Sequence, residues 1–180
     1  LMERGVVHAM DTLVTDGIRG LEQIAEIVLN LKNFSRLDRE KVSDFSVEDG
    51  LDSTLLLARN LLKNTVEVRK AYGHVPRVQG SPSQINQVFL NIITNAVHAM
   101  PEREQPGVIE LHTATLSDST VRIDIRDNGK GIPAEVVSKI FEPFFTTKPI
   151  GQGTGMGLSI SYKIIQEHGG RIVVDSVPGQ

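Results

Sequence analysis

No cysteine occurs among the 180 residues of this chain. Disulfides, thiol nucleophiles and zinc–thiolate sites are therefore excluded. The absence fits a reducing compartment. Tryptophan is missing too, and aromatic residues make up 4% against a hydrophobic share of 39%. A core can form, and it has to be mostly aliphatic. No apolar run approaches the ~18–20 residues of a membrane span, and no leader pattern opens the chain. Positive charge is not in surplus: 19 Lys and Arg stand against 22 Asp and Glu, for a net charge of −3. Nucleic acid is accordingly not expected as a partner. The G-x-x-x-x-G-K-[ST] phosphate loop is lacking, so this is no P-loop protein. There is no internal repeat and no low-complexity tract. The length allows one domain, or one domain plus an appended element. Both ends are abrupt, and the chain reads as a piece of something longer.

Glycine, by contrast, is concentrated. Six of the sixteen glycines lie between Asp127 and Leu158. This stretch opens with Asp127-Asn128-Gly129-Lys130-Gly131-Ile132 and closes with Gly151-Gln152-Gly153-Thr154-Gly155-Met156-Gly157-Leu158. Between them lies Phe141-Glu142-Pro143-Phe144-Phe145-Thr146-Thr147-Lys148. Glycine weakens helices and strands, so this density does not suit a packed element. It suits a backbone that approaches a ligand closely and turns N–H groups toward anionic oxygens.

Upstream, residues 11–37 read as one long helix. Val14, Ile18, Leu21, Ala25 and Val28 form one apolar stripe, and Ile24, Ile27, Leu31 and Phe34 form a second beside it. So wide an apolar face suits a helix bundle and needs a partner helix or a second copy. Ser46 offers a cap for a helix over Val47–Leu62, with Leu51, Leu55, Leu56 and Leu62 apolar. Thr65–Ala71 and Arg77–Gln79 read as strands. Ser81 as cap, Pro82 at the first position and Gln84 in capping-box position start a helix to about Met100. One face of that helix carries Gln84, Gln87, Asn91, Asn95 and His98, a polar stripe that either faces water or lines a site. Val108–Leu116 and Thr120–Arg126 predict a hairpin. The alternation of Val121, Ile123 and Ile125 extends to Asp127, whose carboxylate should point to the buried side. There it either binds something or caps the Gly129–Gly131 turn. A short helix is expected from Pro133 through Ile140, an irregular segment over 141–154, a helix from about Gly155–Gly157 to His168, and a strand over Arg171–Ser176.

The polar stripe, the inward carboxylate and the glycine loop feeding a helix N-terminus together fit a nucleotide. An aspartate can accept from the adenine amine, and backbone N–H groups near Gly155–Leu158, with the helix dipole, suit phosphates. An asparagine oxygen is a hard ligand for magnesium. Residues 81–177 resemble the catalytic ATP-binding domain of sensor histidine kinases, in the superfamily shared with gyrase, a heat-shock chaperone and mismatch-repair ATPases. LNIITNAVHAM looks like the N box, DNGKGI the G1 box, FEPFFTTK the F box and GTGMGLSI the G2 box. GIRGLEQIAEIVLNLKNFSRL looks like the second helix of the dimerisation and phosphotransfer region.

That resemblance implies an α+β fold: a two-layer α/β sandwich of the Bergerat ATP-binding type, its mixed sheet covered by helices on one face, preceded by a long bundle-forming helix. It divides the chain into a partial dimerisation helix over 1–38 and a catalytic domain over 39–180. ATP and magnesium are the implied cofactors, with Asn95 as metal ligand and Asn91 assisting. Asp127 is placed on adenine and His98 near the phosphates. Gly129, Gly131, Ile132, Gly153, Gly155, Met156, Gly157 and Leu158 shape the pocket. Thr154, Thr146 and Lys148 join it from a lid over 142–154, anchored by Phe141, Phe144 and Phe145. The implied activity is transfer of the γ-phosphate to a histidine on a first dimerisation helix absent from this chain, for relay to an aspartate of a response-regulator receiver domain. A homodimer through helix 11–37 and a cytoplasmic location follow, with any membrane attachment outside this chain. His8 lacks the acidic neighbour and proline of the family's H-[ED]-x-x-[NT]-P acceptor setting, and the sheet stops before a strand expected after Gly179. Alternatives are a nucleotide-binding pseudokinase, an ATP-hydrolysing member of the superfamily and a helical scaffold indifferent to nucleotide. The hydrolases resemble one another in a glutamate one turn before the metal asparagine, where this chain has Asn91.

Overall fold

The structure is a computed structural model. It describes residues 10, 13–18, 20, 21, 24, 42–63, 66–100, 106–117, 119–149 and 153–178. Residues 10, 13–18, 20, 21 and 24 are helical, and Leu13, Val14, Ile18, Leu21 and Ile24 are all exposed. The rest of the expected helix 11–37, and His8, lie outside the described residues.

From Ser43 onward the elements run β1 (Ser43–Phe45), α1 (Val47–Leu57), α2 (Arg59–Leu62), β2 (Val66–Ala71), β3 (Val78–Gly80), α3 (Pro82–Ala99), β4 (Gly107–Ser117), β5 (Thr120–Asp127), α4 (Ala134–Val137) and α5 (Gly157–Glu167). β1 and β3 pair antiparallel as a small separate sheet. The main sheet has the order β2-β4-β5, parallel between β2 and β4 and antiparallel between β4 and β5. It is therefore mixed, as the resemblance implies.

Alternation decides which face of the sheet is covered. Along β4, Ile109, Leu111 and Thr113 are buried, while Val108, Glu110 and His112 face the other way. The antiparallel partners of Ile109, Leu111 and Thr113 are Asp127, Ile125 and Ile123. Residues opposite each other share a face. Onto that face pack α1, α3 and α5, with α3 in the middle, and the aliphatic core includes Leu51, Val88, Ile93, Ile160 and Ile164. The opposite face carries Glu67, Arg69, Glu110, Arg122 and Asp124 in surface pairs such as Arg69–Glu67 at 2.9 Å and Arg122–Asp124 at 2.8 Å.

Local chemistry sets the helix ends. Ser46 is extended (φ −87°, ψ 120°) and its side chain accepts the Asp49 N–H. The single helix expected over Val47–Leu62 is broken at Ala58 (ψ 1°). Leu51 and Leu62 are buried, but Leu56 is 69% exposed. Five positions after Leu51 puts it about 140° around the helix, off the packed stripe. Ser81 caps α3 through the Gln84 N–H, and Pro82 opens the first turn. At the other end of α5, Gly169 adopts φ +70°, the Gly170 N–H reaches Ile165 O and the Gly169 N–H reaches Gln166 O. This is the Schellman arrangement, which glycine enters without a Cβ penalty. His168 Nε2 accepts the Ser81 N–H at 3.0 Å, so the ring proton sits on Nδ1, 2.7 Å from Ile164 O. The end of α5 is thereby tied to the start of α3.

Two expected elements differ. The helix after Pro133 stops at Val137 and continues as turns to Phe144. Residues 171–176 alternate in burial as a strand would, yet no ladder among the described residues includes them, and a strand without a hydrogen-bonded neighbour is only extended chain. Among the described residues, no helix is long and apolar enough to cross a membrane.

Candidate functional site

α3 brings the asparagines to one side of a cleft. Val88, Phe89, Ile93 and Ala96 bury one face of the helix. Asn91, Asn95 and His98, at spacings of four and three, share the other. Not all of the polar stripe faces water, since Gln84 is buried.

Asn91 joins two elements. Its Nδ2 donates to Gly157 O at 2.9 Å and to Ser161 Oγ at 3.2 Å. Ser161 Oγ in turn donates to Gly157 O at 2.9 Å. The first turn of α5 is thus held against α3. No side chain caps that N-terminus, where Met156 is the cap residue. Its first N–H groups and dipole can meet an anion.

A pocket of about 400 Å³ in this cleft is lined by His98, Lys130, Thr147, Lys148 and Pro149. Lys148 Nζ lies 3.3 Å from Asn95 Oδ1 and 2.9 Å from His98 Nδ1. The Lys148 N–H donates to Thr146 Oγ1 at 3.1 Å. Two lysines and an uncapped helix N-terminus make this end electropositive. Asn95 Oδ1 accepts from the ammonium of Lys148, and a neutral amide oxygen is the kind of hard donor that magnesium takes. Among the described residues there is no cluster of three His, Cys, Asp or Glu that would hold a metal without such help. A metal held here therefore shares its shell with ligand oxygens and water.

The glycine loop forms the adjoining wall. The Gly129 N–H donates to Asp127 Oδ1 at 2.9 Å, and the Lys130 N–H donates to Ala99 O at 2.9 Å. A Cβ on Gly129 would meet Ala99 Cβ and Ala99 O, each at 2.9 Å. Only a glycine lets this loop lie on the end of α3. Asp127 keeps the parity of Ile109, but the sheet ends there and Asp127 is exposed rather than buried. The capping reading is the one the hydrogen bond to Gly129 bears out, and although Asp127 lies on the covered face the burial expected of it is not found. Beyond the loop, the Ile132 N–H donates to Ser176 Oγ at 2.8 Å.

Phe141 stacks at 5.1 Å, tilted by 41°, on Tyr162 of α5. Phe145 is half-buried. Phe144, expected as an anchor, is 63% exposed with φ +67°. Its backbone does the packing: a Cβ on Gly155 (φ +67°) would collide with the Phe144 carbonyl. Met156 is buried and its N–H reaches Thr154 Oγ1 at 3.4 Å. Gly153 lies against the Lys148 methylenes. Residues 150–152 of the expected lid lie outside the described residues.

The structure thus gathers Asn95, His98 and Lys148 directly, joins Asn91 to Gly157, and sets Asp127 on Gly129. It adds Lys130, Thr147 and Pro149 to the lining and Ser161 and Tyr162 to the support. Ser161 and Tyr162 are not among the residues expected from the sequence, though their place one turn after Gly157 and Leu158 is the spacing that could have found them.

Residues 80–180 match the family described as histidine kinase-, DNA gyrase B- and HSP90-like ATPases. The chain is 36% identical over 168 residues to the sensor kinase CckA of Brucella abortus, covering 87% of this chain and 18% of that protein. It is 36% identical over 169 residues to the signal transduction histidine-protein kinase AtoS of Escherichia coli, covering 90% and 26%. The chain therefore spans only about a fifth to a quarter of these relatives. The solved catalytic domain of the histidine kinase ThkA superposes with a TM-score of 0.63 at 31% identity, over 71% of this chain and 82% of that one. The same kinase has been solved in complex with the response regulator TrrA, with a TM-score of 0.64 at 24% identity over 83% of this chain and 43% of that one. With the asparagine helix, the glycine loop and the F-box segment meeting at one cleft, the chain belongs to the histidine kinase-, DNA gyrase B- and HSP90-like ATPase family and carries the ATP-binding catalytic domain of its histidine kinases.

Proposed function

We propose that this domain binds magnesium–ATP and delivers the γ-phosphate to a histidine on a dimerisation helix, from which it passes to a response-regulator aspartate. The observation that carries the reading is Asn95 Oδ1 accepting from the Lys148 ammonium, which also meets His98, beside a pocket lined by His98, Lys130 and Lys148. Magnesium, when bound, offsets phosphate charge and orients the terminal phosphoryl group. The chain's own groups do the rest. Asn95 holds the cation, Lys130 and Lys148 attract the phosphates, and the N–H groups of the first turn of α5 receive their oxygens. Asp127, with one oxygen on Gly129, keeps the other for the adenine amine.

Hydrolysis is disfavoured on a specific ground. A water-activating base is a carboxylate or imidazole within reach of the water. Position 91 holds an amide, and its nitrogen is bonded to Gly157 O and Ser161 Oγ. Transfer to another side chain therefore suits this site better than transfer to water. The exposed Leu13, Val14, Ile18, Leu21 and Ile24 support the homodimer, because such a face needs a second helical surface.

Calorimetry with a non-hydrolysable ATP analogue tests the assignment. Asn95→Ala is expected to weaken binding far more with magnesium than with chelator, because it deletes a cation ligand. Equal weakening in the two conditions would remove Asn95 from the metal site.

A further inference from the structure

We infer that Lys148 is a built-in competitor of the divalent cation at Asn95, so that metal entry releases the Phe145–Pro149 segment from α3. The inference rests on the proposed reading of the site and extends it to a device within the chain.

The ammonium of Lys148 already lies at the oxygen assigned to the metal, 3.3 Å from Asn95 Oδ1. It is held there from a second side by His98 Nδ1 at 2.9 Å. The stem is held as well. The Lys148 N–H is bonded to Thr146 Oγ1, and a Cβ on Gly153 would meet Lys148 Cδ at 3.2 Å. The lysine is thus a placed group and not a side chain sweeping through solvent.

Two cations on this one oxygen repel each other. Magnesium takes its oxygen ligands at about 2.0–2.1 Å and tolerates little distortion. An ammonium on the same carbonyl would sit within direct repulsion of it. Metal entry therefore moves Lys148 Nζ off Asn95, and its bonds to α3 through Asn95 and His98 are given up with it. The displaced ammonium remains in a cleft lined also by Lys130 and Thr147. One residue thus reports the metal to the F-box segment: tethered to α3 without magnesium and released from it with magnesium.

A lysine that merely binds phosphate behaves differently, and the difference is measurable. Its loss weakens nucleotide equally with and without magnesium. Loss of a competitor raises the magnesium enhancement, the ratio of analogue affinity with the metal to that with chelator. Lys148→Met is expected to raise this ratio by about tenfold, the size of one charge-assisted hydrogen bond. An unchanged ratio, with the wild type binding the analogue normally, overturns the inference and leaves the nucleotide site standing.

Hydrogen exchange on the protein alone gives a readout that needs no nucleotide. Lys148→Met and Asn95→Ala should each speed exchange over residues 145–149, and the double variant should go no faster than either. Exchange unaltered in both single variants also overturns the inference. Failure of the wild type to bind any analogue instead removes the nucleotide reading, and the competitor with it.

Discussion

At the scale of single residues, the site is built from positions where one atom too many cannot be accommodated. Gly155 and Gly169 share nearly the same left-handed backbone, φ +67° and +70°, but differ in surroundings. Behind Gly155 lies the Phe144 carbonyl; around Gly169 a Cβ meets nothing within 4 Å. Gly169→Ala should therefore cost only the left-handed strain, about 1 kcal/mol. Gly155→Ala adds a backbone collision and should cost about 3 kcal/mol in all, with weaker nucleotide binding. Urea denaturation of the two variants separates these terms, and equal losses would show that Phe144 yields freely. Asp127 tests a different property. Asp127→Asn keeps the size but places a donor where the adenine amine also donates. The variant should lose about 2–4 kcal/mol of ATP affinity by calorimetry. Unchanged affinity would confine Asp127 to capping Gly129. The sequence showed Asp127 on the face of Ile123 and Ile125 through parity alone. Parity, however, carries no information on where a sheet stops, and that is why the burial expected of Asp127 is not found.

At the scale of elements, helices with chemical end signals were legible and unpaired extended chain was not. Ser81-Pro82 and Gly169-Gly170 act within a few residues of themselves, so they mark the ends of α3 and α5 without tertiary help. Residues 171–176 show the strand period, but pairing is a property of two segments and cannot be read from one. The contacts of Lys148 were equally hidden, because Asn95 lies 53 positions upstream. The join between α1 and β2 adds a testable electrostatic feature. Asp52 Oδ1 accepts from Lys70 Nζ at 2.8 Å and from the Tyr72 hydroxyl at 2.8 Å. The Lys70 bond holds the Asp52 carboxyl below its ordinary range. Partial burial, and then the bond to Asp52, push the Tyr72 phenol above its ordinary value of 10.0. A raised folded-state pKa adds stability that is intact below the unfolded value and lost as pH climbs past it. Thermal stability should therefore fall above pH ~10, and Tyr72→Phe should flatten that alkaline limb. Parallel alkaline limbs in the two proteins would take Tyr72 out of the account.

At the scale of the whole molecule, helices cover one face of the main sheet while the helical stretch before it leaves leucines and isoleucines in water. Histidine phosphorylation needs an imidazole in line with the γ-phosphate at near-contact distance. Of the five histidines, His98 bonds Lys148, His168 bridges Ser81 and Ile164, and His112 lies on the polar face of β4. His74 is exposed beside Glu48, and His8 lacks the acceptor motif. This 180-residue chain should thus bind magnesium–ATP, self-associate, and incorporate almost no acid-labile phosphate from labelled ATP. A second chain bearing a first dimerisation helix should become labelled in its presence. Label on this chain that His8→Ala abolishes would overturn the assignment.

The bonds that join α3 to α5 act on the cleft as two rungs of a ladder. Asn91, midway along α3, grips Gly157 and Ser161 at the start of α5, and His168 at the end of α5 grips Ser81 at the start of α3. Rails tied twice resist splaying, which favours a steady gauge between asparagine wall and phosphate wall. Adjustment to a guest is left to the short segment around Lys148. The ordering entropy of binding should then be that of a handful of residues, about 1–2 kcal/mol each, and not that of a domain closing.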